Sequence, residues 1–262
     1  MRIVVAIKQV PDTAEVRIDP VRNTLVRDGV PSIMNPFDVY ALEEGLRWRD
    51  ELGGEVIALT MGPPQAEAIL KEAVSMGADQ AVLLSDRAFA GADTWATSQT
   101  LAAAVRKLAP IDLVFTGKQA IDGDTAQTGP GIAASLDWPQ LTFVGRVLGI
   151  EGGRIVVERY VEGGVETLSS TLPAVVTVLK DANTPRMPSL RGKMKARNLA
   201  VTTWGIADLG LDPSETGLDG SPTRVVGIAS PEARSGGSIH RGSPEELAVI
   251  LADLLLGEEA GA

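Results

Sequence analysis

The stretch Thr116-Gly117-Lys118-Gln119-Ala120-Ile121-Asp122-Gly123-Asp124-Thr125-Ala126-Gln127-Thr128-Gly129-Pro130 holds the densest set of ligand-binding groups in the chain. It follows an apolar run at 113–116 and precedes a helical segment at 131–136. Glycines let a backbone come close to a ligand. Backbone N–H groups at a helix start, with the Thr125 and Thr128 hydroxyls beside them, suit a phosphate. The pattern is neither a P-loop nor a GxGxxG fingerprint. On the residues alone it reads either as a phosphate site or as a tight, hydrogen-bonded βα turn. Two further segments fall at equivalent places. Ala6, at the end of the first strand, offers a small wall against which an adenine could lie. Asp93-Thr94-Trp95-Ala96-Thr97 opens a helix, with its polar groups on the same rim or with Asp93 and Thr94 acting as plain caps. Asp122 and Asp124 belong to the turn, where they could orient backbone groups or meet a ribose; no pair of carboxylates stands out as an acid–base couple. Phe37, beside Asn35-Pro36, reads as a core aromatic or as a ring packed on a flat ring system.

Composition removes several chemistries. The chain has no cysteine, so disulfides, thiolate metal sites and a cysteine nucleophile are excluded. His240 is the only histidine and lies in a Gly/Ser-rich stretch, which excludes a multi-histidine metal site. A formal net charge of −10 argues against a general electrostatic footprint for nucleic acid, and four Trp, two Tyr and four Phe are too few for a base-stacking platform. The charge is uneven. Arg186, Arg191, Lys193, Lys195 and Arg197 stand close together against one acid, Asp181, and form a basic island on an acidic protein. No apolar run is long enough to span a membrane. The opening residues pass directly into a strand-like run without the pattern of a leader, so the reading expects a cytoplasmic protein that is not membrane-embedded.

The elements that must position these residues follow from periodicity. Apolar runs at 3–7, 56–60, 81–84 and 113–116 read as buried parallel strands. Between them, Asn35-Pro36 opens a helix to about residue 50 as N-cap and N1, residues 64–76 form a second, and Asp93 or Thr94 caps a third to about 108. This alternation predicts an α/β fold with a doubly wound, mostly parallel sheet, whose ligands sit beyond the carboxyl ends of the strands. The grammar changes near 145. Residues 154–159 and 165–169 flank Glu162-Gly163-Gly164 as a hairpin, and 173–179 reads as another buried strand. Residues 181–198 read as an exposed loop and 205–242 as an extended arm. Ser243-Pro244-Glu245-Glu246 is a capping box that opens a terminal helix, on which Leu247, Ile250, Leu251, Leu254 and Leu255 share a face. The expected organisation is an α/β domain over 1–200, including the loop at 183–197, and a C-terminal arm and helix over 201–262 that packs on a partner.

An ordered series of motifs resembles the β subunit of electron-transfer flavoproteins over nearly the whole chain. They are Val4-Val5-Ala6-Ile7-Lys8-Gln9-Val10-Pro11-Asp12, Met34-Asn35-Pro36-Phe37-Asp38, Ala73-Val74-Ser75-Met76-Gly77-Ala78-Asp79 and the turn from Gly117 to Gly129. Then come Leu136-Asp137-Trp138-Pro139-Gln140, Leu172-Pro173-Ala174-Val175-Val176-Thr177-Val178, and Asn183-Thr184-Pro185-Arg186-Met187-Pro188-Ser189-Leu190-Arg191-Gly192-Lys193-Met194-Lys195-Ala196.

The resemblance implies an electron carrier subunit and not a free-standing enzyme. It implies an adenine-nucleotide-binding fold paired with a larger α subunit that holds the redox-active FAD. The β subunit binds AMP structurally, or a second FAD in the electron-bifurcating form. Electrons pass from acyl-CoA and related dehydrogenases to a membrane quinone oxidoreductase. The nucleotide pocket then involves Ala6, Asn35, Asp122, Ala126, Gln127 and Thr128, with Thr94 and Thr97 nearby, while Phe37 approaches the partner's flavin. Thr13 stands where some relatives place a tyrosine against that flavin. Leu190 is the anchor of a recognition loop for dehydrogenases, flanked by the five basic residues. Gly123 to Gln127 resembles the bifurcating members. Thr128-Gly129 and Asp137-Trp138-Pro139-Gln140 resemble the AMP-containing type, and the Thr128 hydroxyl favours AMP. A nucleotide-dependent hydrolase or transferase and a non-redox regulatory nucleotide-binding module are the rival readings.

Overall fold

Aliphatic runs without polar alternation make strands that are covered on both faces, and most of this sheet is built from them. The structure, a computed structural model, describes residues 1–12, 18–19, 24–25, 31–227 and 237–256; Thr13 lies outside them. The chain runs β1 (Arg2–Ala6), β2 (Gln9–Pro11), β3 (Ile18–Asp19), β4 (Thr24–Leu25), β5 (Ser32–Met34), α1 (Pro36–Leu52), β6 (Glu55–Met61), α2 (Glu67–Met76), β7 (Gln80–Leu84), α3 (Thr94–Leu108) and β8 (Leu113–Gly117). It continues with α4 (Thr128–Leu136), β9 (Gln140–Glu151), β10 (Arg154–Val161), β11 (Gly164–Thr171), β12 (Ala174–Val178), α5 (Leu190–Arg197), β13 (Thr202–Trp204), α6 (Ile206–Leu209) and α7 (Pro244–Leu256).

The main sheet has nine strands in the order β11-β10-β9-β12-β8-β1-β6-β7-β13. It is parallel from β9 to β13, and β10 and β11 extend it as an antiparallel hairpin. The chain leaves β1 for β6 on one side and later reaches β8 on the other. The strand order therefore reverses between β1 and β8, and a crevice opens at their carboxyl ends.

Side chains alternate across the sheet. Ile3, Val5 and Phe115 face the layer holding Leu42 and Leu46 of α1 and Leu70 and Val74 of α2. Val4, Ile57 and Val114 face the opposite layer, which holds Leu101 and Val105 of α3 and Ile132 of α4. The expected doubly wound α/β architecture is thus present, with helices on both faces.

Several elements differ from the sequence reading. Residues 140–151 form one long strand, β9, whose mixed burial hid it from a search for continuous apolar runs. The segment at 181–198 is not a loop throughout: Ser189 accepts a hydrogen bond from Gly192 N at 2.9 Å and caps α5. A polar, lysine-rich helix of eight residues leaves little apolar periodicity to detect. Thr202–Trp204 pairs with β7 and closes the sheet, although it falls within the expected arm. The chain divides into two compact units, Met1–Val226 and Gly227–Ala262. In the second, Ser243 N donates to Glu246 Oε2 at 2.8 Å and Glu246 N to Ser243 Oγ at 3.3 Å, the reciprocal bonds of a capping box.

Phe115 is fully buried at the centre of the sheet. Phe115→Ala is expected to cost about 3–5 kcal/mol, read as a lower urea midpoint with an unchanged slope.

Candidate functional site

Asn35 and Pro36 open α1 as the sequence suggests, but Asn35 does not cap its own helix with its side chain. The amide reaches across to the turn after β8 instead. Asn35 Nδ2 donates to Gln119 O at 2.8 Å, and Ile121 N donates to Asn35 Oδ1 at 3.2 Å. Asn35 N donates to Lys8 O at 2.8 Å, just past β1. One turn along, the Asp38 carboxylate accepts from Lys8 N at 2.7 Å and from Gly117 N at 3.1 Å. The start of α1 therefore clasps the chain after β1 to the chain after β8, across the crevice. Gly117 permits the approach: a Cβ there would lie 2.4 Å from Asp38 Oδ1 and 2.7 Å from Phe37 Cβ.

The other face of the crevice is built by two helix starts. Ala6 and Thr116 stand two residues on from Val4 and Val114, on the same face, and so lie toward α3 and α4. Asp93 Oδ1 caps α3 by accepting from Ala96 N at 3.0 Å. The α4 helix begins at Thr128, three residues earlier than expected, with Gln127 at the N-cap making no side-chain capping bond. Pro130 has no N–H, and Gly131 N donates to Gln127 O. Thr128 N and Gly129 N thus have no acceptor among the described residues. Free N–H groups at a helix start favour an anion. Gly129 is required by the packing, because a Cβ there would lie 2.5 Å from Thr177 Cγ2 and 2.8 Å from Thr116 Oγ1.

The structure brings most of the expected residues to this crevice. Ser98 Oγ donates to Thr94 O at 2.7 Å and lies 3.3 Å from Thr128 O, tying the α3 and α4 starts together. Thr94 Oγ1 and Thr125 Oγ1 are 3.5 Å apart. Thr97 lies one turn into α3. Ala126 has a φ of +54° and reverses the chain just before Gln127. Asp122 is held by Lys8 Nζ at 2.6 Å, with its side chain only 8 % exposed. Phe37 is half-buried beside Gly117 rather than a sealed core ring.

Sequence reasoning missed Asp38 and Lys8 as site residues. An acidic residue three positions after an N-cap commonly turns back to that cap, which concealed a carboxylate serving two other segments. Burial pushes the Asp38 carboxyl up to about 7, outweighing the hydrogen bonds from Asn35, Lys8 and Gly117 that favour its charged form.

A second expected site lies on α5. Leu190 is its first residue and is 79 % exposed; Met187 and Met194 are exposed on either side in sequence. Arg191, Lys193 and Arg197 are also exposed. Arg186 and Lys195 are not free: Arg186 pairs with Glu43 and Asp50, and Lys195 Nζ donates to Ala78 O and Asp79 O. Among the described residues no cluster of three acidic or histidine side chains could hold a metal, and no helix is long and apolar enough to cross a membrane.

Asp38 sets a pH dependence. Its folded value, about 7, lies above the ordinary 3.8, so the folded state holds a proton through this interval that the unfolded chain has released. The contribution is complete below the ordinary value and is lost as the pH rises through about 7. Carboxyl 13C NMR should give Asp38 a midpoint near neutrality. The stability difference between the wild type and Asp38→Asn should narrow between pH 5 and pH 8.

The model of the electron transfer flavoprotein domain matches residues 22–209. The electron transfer flavoprotein subunit beta of Thermoanaerobacterium thermosaccharolyticum is 51 % identical over 256 residues, covering 97 % of this chain and 98 % of that protein. The caffeyl-CoA reductase-Etf complex subunit CarD of Acetobacterium woodii is 51 % identical over 244 residues, 93 % of each chain. Protein FixA of Azotobacter vinelandii is 50 % identical over 241 residues, 90 % of this chain and 86 % of its own. The doubly wound sheet, the motifs in their order and this near-complete coverage together make the chain a member of the electron transfer flavoprotein family, among its β-subunit and FixA proteins.

Proposed function

We propose that this chain forms a heterodimer with an α subunit and binds an adenine nucleotide in the crevice between β1 and β8. The observation that carries the reading is the uncapped start of α4, beside the start of α3 and next to Ala6, at the reversal of strand order. Adenine lies against Ala6. Thr128, Gln127 and Ala126 hold the phosphate, with Thr94 and Thr97 at the rim. Asn35 and Asp122 keep the turn closed over the nucleotide. FAD held mainly by the α subunit supplies the redox chemistry, and Phe37 packs toward it. This chain positions and docks, and it makes or breaks no bond itself.

The Thr128 hydroxyl beside two free N–H groups favours AMP. A second FAD is the alternative, favoured by the likeness to CarD, a subunit of a caffeyl-CoA reductase-Etf complex, and by the resemblance of Gly123 to Gln127 to bifurcating members. In the carrier reading the protein is cytoplasmic. Leu190 docks acyl-CoA and related dehydrogenases, and electrons leave to a membrane quinone oxidoreductase. The α7 helix, a polar-capped helix with exposed Val249, Leu251, Leu254 and Leu255, packs on the α subunit.

Denaturing the purified heterodimer and quantifying released nucleotides tests the pocket. One FAD and one AMP per heterodimer is the expected result; two FAD and no AMP selects the alternative, and a flavin-free complex overturns the proposal. Thr128→Ala removes one hydrogen bond to a charged group and should weaken nucleotide binding roughly tenfold to a hundredfold. Leu190→Ala should raise KM for the heterodimer, as substrate of an acyl-CoA dehydrogenase, by about thirtyfold.

A further inference from the structure

The residues that hold α5 in place lie outside its exposed face. Before α5 the chain crosses the flank of α1 and is bound there at three successive points. Tyr40 Oη donates to Asp181 Oδ1 at 3.0 Å. Asn183 Nδ2 donates to Tyr40 O at 3.0 Å and to Glu44 Oε2 at 2.9 Å. Arg186 binds Glu43 three times: its backbone N and its Nε donate to Oε2, both at 2.9 Å, and its Nη2 donates to Oε1 at 3.0 Å. Its Nη1 also reaches Asp50 Oδ2 at 2.8 Å.

Glu43 and Glu44 are 5 % and 2 % exposed, two adjacent buried carboxylates on one helix. Within α1 Glu44 also accepts from Trp48 Nε1 and Arg47 Nη1, both at 2.8 Å, whereas among the described residues the Glu43 carboxylate accepts from Arg186 alone. Buried ion pairs add little net stability over apolar packing, but a planar guanidinium gripping one carboxylate through two of its N–H groups fixes direction. The residue after Arg186 is Met187, 84 % exposed. Leu190 and Met194 follow, four residues apart on α5 and so on one side of it, 79 % and 63 % exposed. The start of α5 is tied by Ser189 N to Ser75 O at 3.2 Å, and its last turn by Lys195 Nζ to the carbonyls of Ala78 and Asp79, between α2 and β7. An apolar stripe is thereby held in fixed orientation by groups that do not belong to it.

We propose that Arg186 and Asn183 are positioning residues for partner docking, which through Glu43 and Glu44 hold Met187, Leu190 and Met194 ready for an apolar pocket with an acidic rim on the electron donor. The inference rests on the docking role given to Leu190 above. Holding the stripe rigid removes an ordering cost that a loose loop would incur on binding. The acidic rim is the complement of exposed Arg191, Lys193 and Arg197.

The test uses the flavin-loaded heterodimer as electron acceptor of a purified acyl-CoA dehydrogenase, with hydrogen exchange followed in the same samples. Arg186→Ala should raise KM for the heterodimer by roughly tenfold, leave kcat within about twofold, and speed amide exchange at 187–197 more than in the sheet. Arg186→Lys, which keeps the charge but loses the fork, should fall between. The paired change Glu43→Gln with Arg186→Met leaves no buried charge unpaired, so it should restore thermal stability while KM stays high. Return of KM to the wild-type value in that double variant would reduce Arg186 to a stabilising residue and overturn the proposal. Leu190→Ala separates the two readings: if it raises KM and Arg186→Ala does not, the positioning role alone falls; if neither does, docking through α5 falls with it.

Discussion

The reversal of strand order between β1 and β8 opens a crevice that the fold must hold at a fixed width, and the start of α1 supplies the clasp. Asn35 and Asp38 gather Lys8 from one side and Gly117, Gln119 and Ile121 from the other. Every partner except the two side chains is backbone, so the clasp depends little on what the turn residues are and strongly on how closely the chains approach. Gly117 is the condition for that approach. A buried carboxyl that takes up its charge only as the pH rises through about 7 is a costly device, and this one accepts N–H groups from two different segments.

The same helix serves the proposed docking face. Asn35 and Asp38 occupy its start, and Tyr40, Glu43 and Glu44 follow within two turns on the flank crossed by residues 181–186. A 17-residue α-helix anchored in the core by Leu42 and Leu46 is a stiff element. The proposed nucleotide crevice and the α5 stripe are thereby referred to one common body and not to a chain of loops. For a protein whose proposed work is to set one partner relative to another, rigidity between contact points matters more than reactive groups at either.

Much of this was legible in the sequence because it is written in local patterns. The parallel strands are short apolar runs, Asn35-Pro36 marks a helix start, and Asp93 caps α3 as its type predicts. What stayed hidden depends on partners distant in sequence. Asn35 has the residue type of a cap, yet its amide is used some eighty residues away, and no local rule distinguishes the two uses. Arg186 and Lys195 read as part of one basic island with Arg191, Lys193 and Arg197, because charge counting cannot see the Glu43 carboxylate or the Ala78 and Asp79 carbonyls that follow α2. The α5 helix escaped notice because only Ala196 within it is buried. Its helicity is set by the Ser189 cap and by contact with α2.

That division of the basic island bears on how charge would act in docking. Two of the five cations are engaged within the chain, Arg186 by carboxylates and Lys195 by backbone carbonyls. The other three stand exposed around Leu190, on a protein with a formal net charge of −10. Their field is local, a positive rim on an acidic body, so an acidic partner is attracted to this face and repelled by the remainder. Steering of this kind raises the association rate and fades as ionic strength shortens the Debye length. The apolar stripe acts later, through the lifetime of the complex. In the proposed docking, orientation falls to Arg186 and Lys195, encounter to Arg191, Lys193 and Arg197, and retention to Met187, Leu190 and Met194, three separable physical tasks within a dozen residues.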